Sequence, residues 1–324
     1  MSLVNTVRAA IMLACSCLSA ISAQASDWPT RSVRIIVPST PAGTIDVIAR
    51  LVAQKLSEKW GQPVVVDNRP GADGIIGTQV VAQAAPDGYT LLVVTTGLTT
   101  NPLLYKSVSY DPIKDFVPIT ILGSSPNVLL VNPSAPFSTL PELIALAKKE
   151  PGKLQYGSSG VGSGGQLSVA LLETIAQVKF THVPYKGAGA ALNGVVAGEV
   201  PMLVTSVSGA LPFIKSGMLI AAAVTPAKRL SALPEVPTFM EAGVKDYDVT
   251  GWYGILAPAK TPKEVVDKIY SDIKEILAGP DLSKRLDDLG FDIDPPQPSA
   301  FATFLASELV RWKTTISAGG IKVE

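Results

Sequence analysis

The chain passes twice from a buried-strand pattern through a run of small residues into a helix, and these two transitions constrain its fold more than any other feature. The first reads VRIIVPSTPAGTIDVIAR over Val33–Arg50, and the second reads LQYGSSGVGSGGQLSVAL over Leu154–Leu171. The first amide groups of an α-helix lack intrahelical partners, and aligned peptide dipoles leave about half a positive charge at that end. Two such ends facing one cleft hold a ligand that carries carboxylates at both ends. The competing reading is that both loops are tight βα turns of the kind found in any α/β protein.

The rest of the chain repeats the alternation. Strand patterns fall at Arg34–Val37, Val64–Asp67, Thr90–Thr95, Phe116–Leu122, Val128–Asn132, Leu154–Gly157, Lys179–Val183, Met202–Thr205, Ile220–Val224 and Val249–Leu256. Helical stripes lie between them, Ile45, Ile48, Val52 and Leu56 marking one and Leu167, Leu171 and Ile175 another. Such a sequence predicts an α/β fold of mostly parallel sheets flanked by helices. Thr261-Pro262-Lys263-Glu264 predicts a capping box with proline at the first helical position, ahead of the stripe Val266, Ile269, Ile273 and Ile276. A last long helix is expected to begin near Ala300.

Little strand material follows Ala257, so the C-terminal helices are expected to pack back on the first domain and make it discontinuous. The expected division is residues 26–123 with 253–324 as one domain and 124–252 as the other. The chain then crosses between them near Gly123–Asn127 and near Asp246–Trp252, a two-strand hinge over the cleft.

Residues 1–25 carry one charge, Arg8, an apolar run from Ala9 to Ile21 too short to span a bilayer, and Ala23-Gln24-Ala25. This pattern predicts a signal peptide cleaved after Ala25 and a periplasmic location. A lipoprotein leader competes, because Cys15 and Cys17 lie in the segment, but the apolar run before Cys15 is short. Cleavage leaves 299 residues with no cysteine and a net charge of −1, so core burial alone must stabilise two domains of ordinary size. With no basic surplus, nucleic acid and anionic membrane are not expected partners.

The catalytic inventory is short. His182 is the single histidine and sits in an apolar strand pattern, where a structural role is the simpler reading. No metal site and no cofactor is expected, since the cysteines leave with the leader and no H-E-x-x-H occurs. No base for Ser158 or Ser159 is identifiable from the sequence, and G-x-S-x-G is absent from a nucleophile-elbow context. Gly160–Gly165 does match G-x-G-x-x-G after a strand, but Lys179–Asn193 supplies no acidic residue for a ribose. The match is read as a generic anion loop, and the chain as a non-enzyme.

Several segments then converge on one family. VRIIVP with the loop ending in Asp46, GQPVVVDNRPGADGIIGT, APDGYTLL, NPLLY, YDPIKDFVPIT, YGSSGVGS, THVPYKGAGAAL, LPEVPTFMEAG and WYGILAPAKTPKEVV occur in order over nearly the whole chain. Together they resemble the periplasmic solute-binding proteins of tripartite tricarboxylate transporters, the Bug family. The resemblance implies a two-domain periplasmic binding protein (type II, Venus flytrap) that captures a small organic anion, a di- or tricarboxylate, and presents it to membrane permease subunits, acting as a monomer. A ligand sensor feeding a membrane kinase and an exported hydrolase are the alternatives.

The resemblance also implies that a ligand carboxylate lies between two βα loops, here Pro38–Asp46 and Ser158–Gly165. The expected ligand-binding residues of the first are Ser39, Thr40, Pro41, Ala42, Gly43, Thr44 and Asp46; those of the second are Ser158, Ser159, Gly160, Gly162, Ser163, Gly164 and Gly165. Neighbouring loops add Thr96 and Gly97, Lys186 and Gly187, and Ser206 and Ser208. Lys186 is the one cation, so binding is expected to rest on backbone amides and hydroxyls. Lys186 meets a carboxylate, bridges the domains or caps a carbonyl. Asp46 reads first as a helix-start carboxylate, and Trp252 and Tyr253 as hinge packing.

Where the family carries an aromatic residue and later paired glycines in the first loop, this chain has Ser39 and then Ala42-Gly43. A lost ring enlarges the space beside the ligand. The departure predicts a cleft for a bulkier carboxylate than aspartate or citrate, such as the aromatic dicarboxylate terephthalate.

Overall fold

The structure is a computed structural model that describes residues 28–41, 44–247, 249–288, 291–319 and 321. The leader and its cleavage site lie outside the described residues, as do Ala42 and Gly43 of the first loop. Among the described residues, no helix is long and apolar enough to cross a membrane.

The first sheet is built from β1 (Val33–Val37), β2 (Val64–Asn68), β3 (Thr90–Val94), β4 (Phe116–Val131) and β9 (Thr250–Pro258), in the order β2-β1-β3-β9-β4. β1 pairs in parallel with β2 and β3, whereas β9 runs antiparallel to both β3 and β4. The second sheet holds β5 (Gln155–Ser158), β6 (Thr181–Pro184), β7 (Met202–Ser206) and β8 (Ile220–Val224). β5 pairs in parallel with β6 and β7, and the far end of β4 pairs antiparallel with β7 and β8.

Both sheets are apolar on both faces, because helices cover each side. In the first, Val33, Ile35 and Val37 join one core cluster while Ile36 joins another, the period-two alternation of a strand. Leu91 and Val93 against Leu92 and Val94 repeat it. In the second sheet, Leu129 and Val131 face one cluster and Val128 and Leu130 the other. The result is a two-domain α/β architecture.

The helices are α1 (Thr44–Trp60), α2 (Ile75–Ala82), α3 (Gly97–Leu104), α4 (Leu140–Lys149), α5 (Gly164–Ala176), α6 (Ala188–Val196), α7 (Val207–Lys215), α8 (Lys263–Ala278), α9 (Pro280–Asp288) and α10 (Pro298–Gly319). The α1 stripe buries Ile48, Val52 and Leu56 fully, and Val266, Ile269 and Ile273 of α8 complete the same core.

Two expectations need correction. The strands read at Phe116–Leu122 and Val128–Asn132 are one 16-residue strand, β4, because Gly123–Asn127 stay paired across the presumed break, with Gly123 opposite Tyr253 and Pro126 opposite Thr250. The capping box at Thr261 does not form: Pro262 caps α8, and the Thr261 hydroxyl donates instead to the Pro258 carbonyl at 2.8 Å. A capping box does occur at α4, between Thr139 and Glu142.

The C-terminal helix reaches the cores of both sheets. Phe301 and Leu305 of α10 enter a core of the first sheet, and Trp312 and Ile316 enter one of the second, beside Leu167, Leu171 and Tyr247. At its centre the buried Glu308 accepts indole N–H bonds from Trp252 of β9 and from Trp312, each at 3.0 Å, and pairs with Arg311. A buried carboxylate persists only when so satisfied.

Candidate functional site

Strand ends and helix starts meet on one side of the two sheets. The first turn of α3 follows β3 through Thr95 and Thr96, that of α5 follows β5 through the second glycine loop, and that of α7 follows β7 directly. These three helix starts line one cavity of about 320 Å³, through Gly97 for α3, Ser163 and Gly164 for α5 and Ser206 for α7. Neither Thr96 nor Ser206 caps its helix with a side-chain bond, whereas the Ser163 hydroxyl accepts from the Gln166 amide at 3.4 Å. The cavity therefore gathers three positive dipole ends and a set of hydroxyls.

Of the expected ligand residues, the cavity brings together Thr96, Gly97, Gly162, Ser163, Gly164 and Ser206. Ser39 lines an adjoining cavity of about 300 Å³, which shares Asp73, Thr95 and Gly97 with the first. Thr40, Pro41, Thr44, Ser159, Gly160, Gly165, Lys186, Gly187 and Ser208 line neither, and Lys186 is exposed. Ser208 instead donates to the Ser206 hydroxyl at 3.4 Å.

Asp46 is buried and committed elsewhere: one carboxylate oxygen accepts from Arg50 at 2.9 Å and the other from Asn68 at 2.9 Å. Trp252 is packed, as read, but Tyr253 lines the cavity. Burial pushes its hydroxyl pKa up, while the neighbouring Thr44 and Ser125 pull it back.

Sequence reasoning missed Asp73, Ser125 and Asn127, all on the cavity wall, and ranked the cleft-facing reading of Tyr253 second. Asp73 is the one charged residue among the described residues lining it. It sits in a run with positive φ, from Gly71 at 126° through Ala72 at 48° and Asp73 at 52° to Gly74 at 86°. Holding two non-glycine residues there costs on the order of 1 kcal/mol each. Asn101 helps pin the turn by donating to the Asp73 carbonyl at 2.8 Å. Loss of solvent in the cleft raises the Asp73 pKa. The glycine-rich GADG segment was a visible turn signal, but nothing in the sequence points it at a cleft built from residues 22 to 180 positions away.

The second loop hides a pairing the sequence did not reveal. Ser158 at the end of β5 is fully buried, and its hydroxyl lies 2.6 Å from the His182 Nε2 of β6. Parallel pairing of β5 with β6, which sets Tyr156 against His182, brings the two together. Among the described residues, no group of three or more His, Cys, Asp or Glu side chains is placed to hold a metal.

The family model for the tripartite tricarboxylate transporter family receptor, TctC, matches residues 48–321. Protein BugT of Bordetella pertussis is 32% identical over 302 residues, 93% of each chain. A Rhodopseudomonas palustris protein solved with adipate is 36% identical and superposes with a TM-score of 0.76, covering 91% of this chain and 99% of its own. MatC of the same organism, solved with bound malate, is 32% identical with a TM-score of 0.73, covering 89% of this chain and 100% of its own. A family model spanning most of the chain, together with relatives alike in sequence and fold along nearly its whole length, places it: this chain belongs to the tripartite tricarboxylate transporter receptor family, periplasmic binding proteins that include the Bug proteins.

Proposed function

We propose that this protein captures a carboxylate-bearing small organic anion in the cavity between its domains and delivers it to the permease subunits of a tripartite tricarboxylate transporter. The observation that carries the reading is the convergence of the α3, α5 and α7 N-termini on one cavity with no cation among the described residues that line it. Fixed amides and hydroxyls then do the work of a positive charge, and expelling water from the cleft strengthens each amide–carboxylate bond. The adipate and malate of the two solved relatives are both dicarboxylates, which supports a di- or tricarboxylate here.

In this reading the lobes are residues 26–123 with the greater part of 253–324, and 124–252, with Trp312 and Ile316 lent to the second. Ligand binds one lobe, the other closes over it, and the closed form is favoured by its additional contacts. Of the expected residues, those on the cavity wall are proposed to meet the ligand directly. Ser158, Gly160 and Gly165 shape the second loop, and Asp46 shapes the first. Ser39 stands beside a second cavity, leaving room for a bulkier acid such as terephthalate. The protein is proposed to be exported by cleavage after Ala25 and to act as a monomer.

The Ser158–His182 contact raises the hydrolase alternative. Against it, Ser158 has no exposed surface and its hydroxyl donates to the Gly160 carbonyl at 2.9 Å, so the oxygen reaches no substrate. The other imidazole nitrogen meets the Gln166 amide and not a carboxylate. We propose a receptor without catalysis.

The test is thermal unfolding of residues 26–324 against mono-, di- and tricarboxylates, adipate, malate and terephthalate among them. An acid at 100 times its Kd adds about 2.7 kcal/mol of stability, so a clear rise in Tm confined to one carboxylate class is expected. No shift with any acid, in protein verified ligand-free, overturns the reading. Turnover of nitrophenyl esters would do the same for the absence of catalysis.

A further inference from the structure

The second glycine loop is held by a chain of hydrogen bonds that admits one protonation state. The Ser158 hydroxyl donates to the Gly160 carbonyl at 2.9 Å and accepts from the Gly160 amide at 3.1 Å. Having a single proton, it can only accept from the His182 Nε2, 2.6 Å away. On the far side, the Gly162 amide donates to the Gln166 Oε1 at 2.6 Å, which fixes the Gln166 amide so that its Nε2 faces the His182 Nδ1 at 3.2 Å. Since the Gln166 Nε2 is a donor, Nδ1 must be the acceptor. The whole set is satisfied by the neutral imidazole carrying its proton on Nε2, and by no other form.

We propose that His182 and Gln166 are positioning residues for anion capture, a neutral relay that locks the loop from Ser158 to Ser163 and so aims the α5 N-terminus into the cavity, and that protonating His182 unlocks it. This rests on the carboxylate reading of the cavity. A proton on Nδ1 sets two donors face to face. If Gln166 flips its amide to relieve this, the Gly162 N–H loses its acceptor. Either way a half-buried donor is left unmade, and the loop that carries Gly162, Ser163 and Gly164 to the cavity wall loses a tether.

The surroundings favour the neutral form. The Tyr156 ring of β5 stacks on the imidazole with centroids 5.0 Å apart, and the Gln166 amide of α5 meets its Nδ1 edge. Beyond Tyr156 lies Glu173 of α5, whose carboxylate accepts from the Phe180 amide at 2.7 Å and pairs with Lys179. Burial alone lowers the His182 pKa below its usual 6.5. The relay is therefore complete near neutral pH and fails as the medium acidifies through the lowered value.

Because the chain has one histidine, NMR of the ¹⁵N-labelled protein with any tag removed reads the relay without a ligand. The expected result is the Nε2–H tautomer above the imidazole midpoint, with the Gly160 and Gly162 amide resonances moving at that same midpoint. Gln166→Glu supplies an acceptor to both the charged imidazole and the Gly162 amide. It should raise the imidazole midpoint and keep the Gly162 amide in place under acid. With adipate as probe, affinity of the unaltered protein should fall about tenfold on protonation, the effect of one unmade hydrogen bond, and the Gln166→Glu protein should show no such fall. An Nδ1–H tautomer, glycine amides that ignore the titration, or a midpoint that Gln166→Glu leaves unmoved overturns the relay. Failure of adipate to bind at any pH counts against the carboxylate reading alone, and the NMR result still decides the relay.

Discussion

The two βα loops begin alike in sequence and are held by opposite means. In the first, the carboxylate of Asp46 is clamped by Arg50 and Asn68, an arrangement of full charges with Arg50 half in solvent. In the second, serine, neutral histidine and glutamine do the same work with no formal charge. The difference follows from position. Asp46 belongs to the first turn of α1, where the dipole welcomes an anion and the guanidinium partner reaches water. Ser158 and His182 lie between paired strands over a stacked tyrosine, where an unpaired charge is expensive. An anion site can thus be preorganised by charge at its rim or by neutral polarity in its interior, and the two should answer to different perturbations.

The largest expected effect falls on the second loop. A methyl group at Gly165 would stand 2.3 Å from the Val204 carbonyl oxygen, which belongs to the sheet and cannot retreat. Gly165→Ala should therefore cost about 3 kcal/mol or more in urea unfolding, and a near-neutral result would mean that α5 is free to shift and that the second loop is not the rigid one. Next, Asp46→Ala strips Asn68 and Arg50 of their shared acceptor; about 2 kcal/mol is expected, reduced by the water that reaches Arg50, and added salt should narrow the gap from the unaltered protein.

A pH series separates the two loops directly. With a folded pKa below the unfolded value, His182 binds more protons in the unfolded chain, so stability rises with pH through this region and is lost as pH falls from the usual 6.5 through the lowered value. His182→Gln should flatten that part of the stability curve, whereas Asp46→Ala should leave it in place. The smallest effect is expected at Gly164, where an added Cβ meets no atom within 4 Å. Gly164→Ala should change stability by less than about 0.5 kcal/mol, and a large loss there would erase the contrast with Gly165.

Much of this was legible from the sequence, for physical reasons that also explain what was not. Strands buried on both faces announce themselves as apolar runs, so β1, β3, β7 and β8 were readable within a residue at each end. Asp46 stands in the first turn of its helix, where helix-start chemistry put it, but its Asn68 partner comes from β2, twenty-two residues away, and could not be read. By contrast, Gly123, Ser124 and Pro126 read locally as a break, and only the partner strand β9 keeps them extended. The relay escaped because His182 finds Ser158 through strand register and Gln166 through helix docking, neither of which leaves a mark at twenty-four and sixteen residues' separation. Asp73 was hidden by its own turn signal.

The two proposed lobes share β4, β9 and α10, three members packed together. An engineer would recognise a leaf flexure. Parallel leaves bend easily together but resist twisting and sliding, because those motions stretch one leaf against another. The pinning of α10 to β9 through Glu308 and Trp252 ties the third leaf to the second. If the lobes close as proposed, this arrangement leaves them a single soft direction of travel, and a partner reading the outer surface would need to gauge only one coordinate to know whether the cleft is shut.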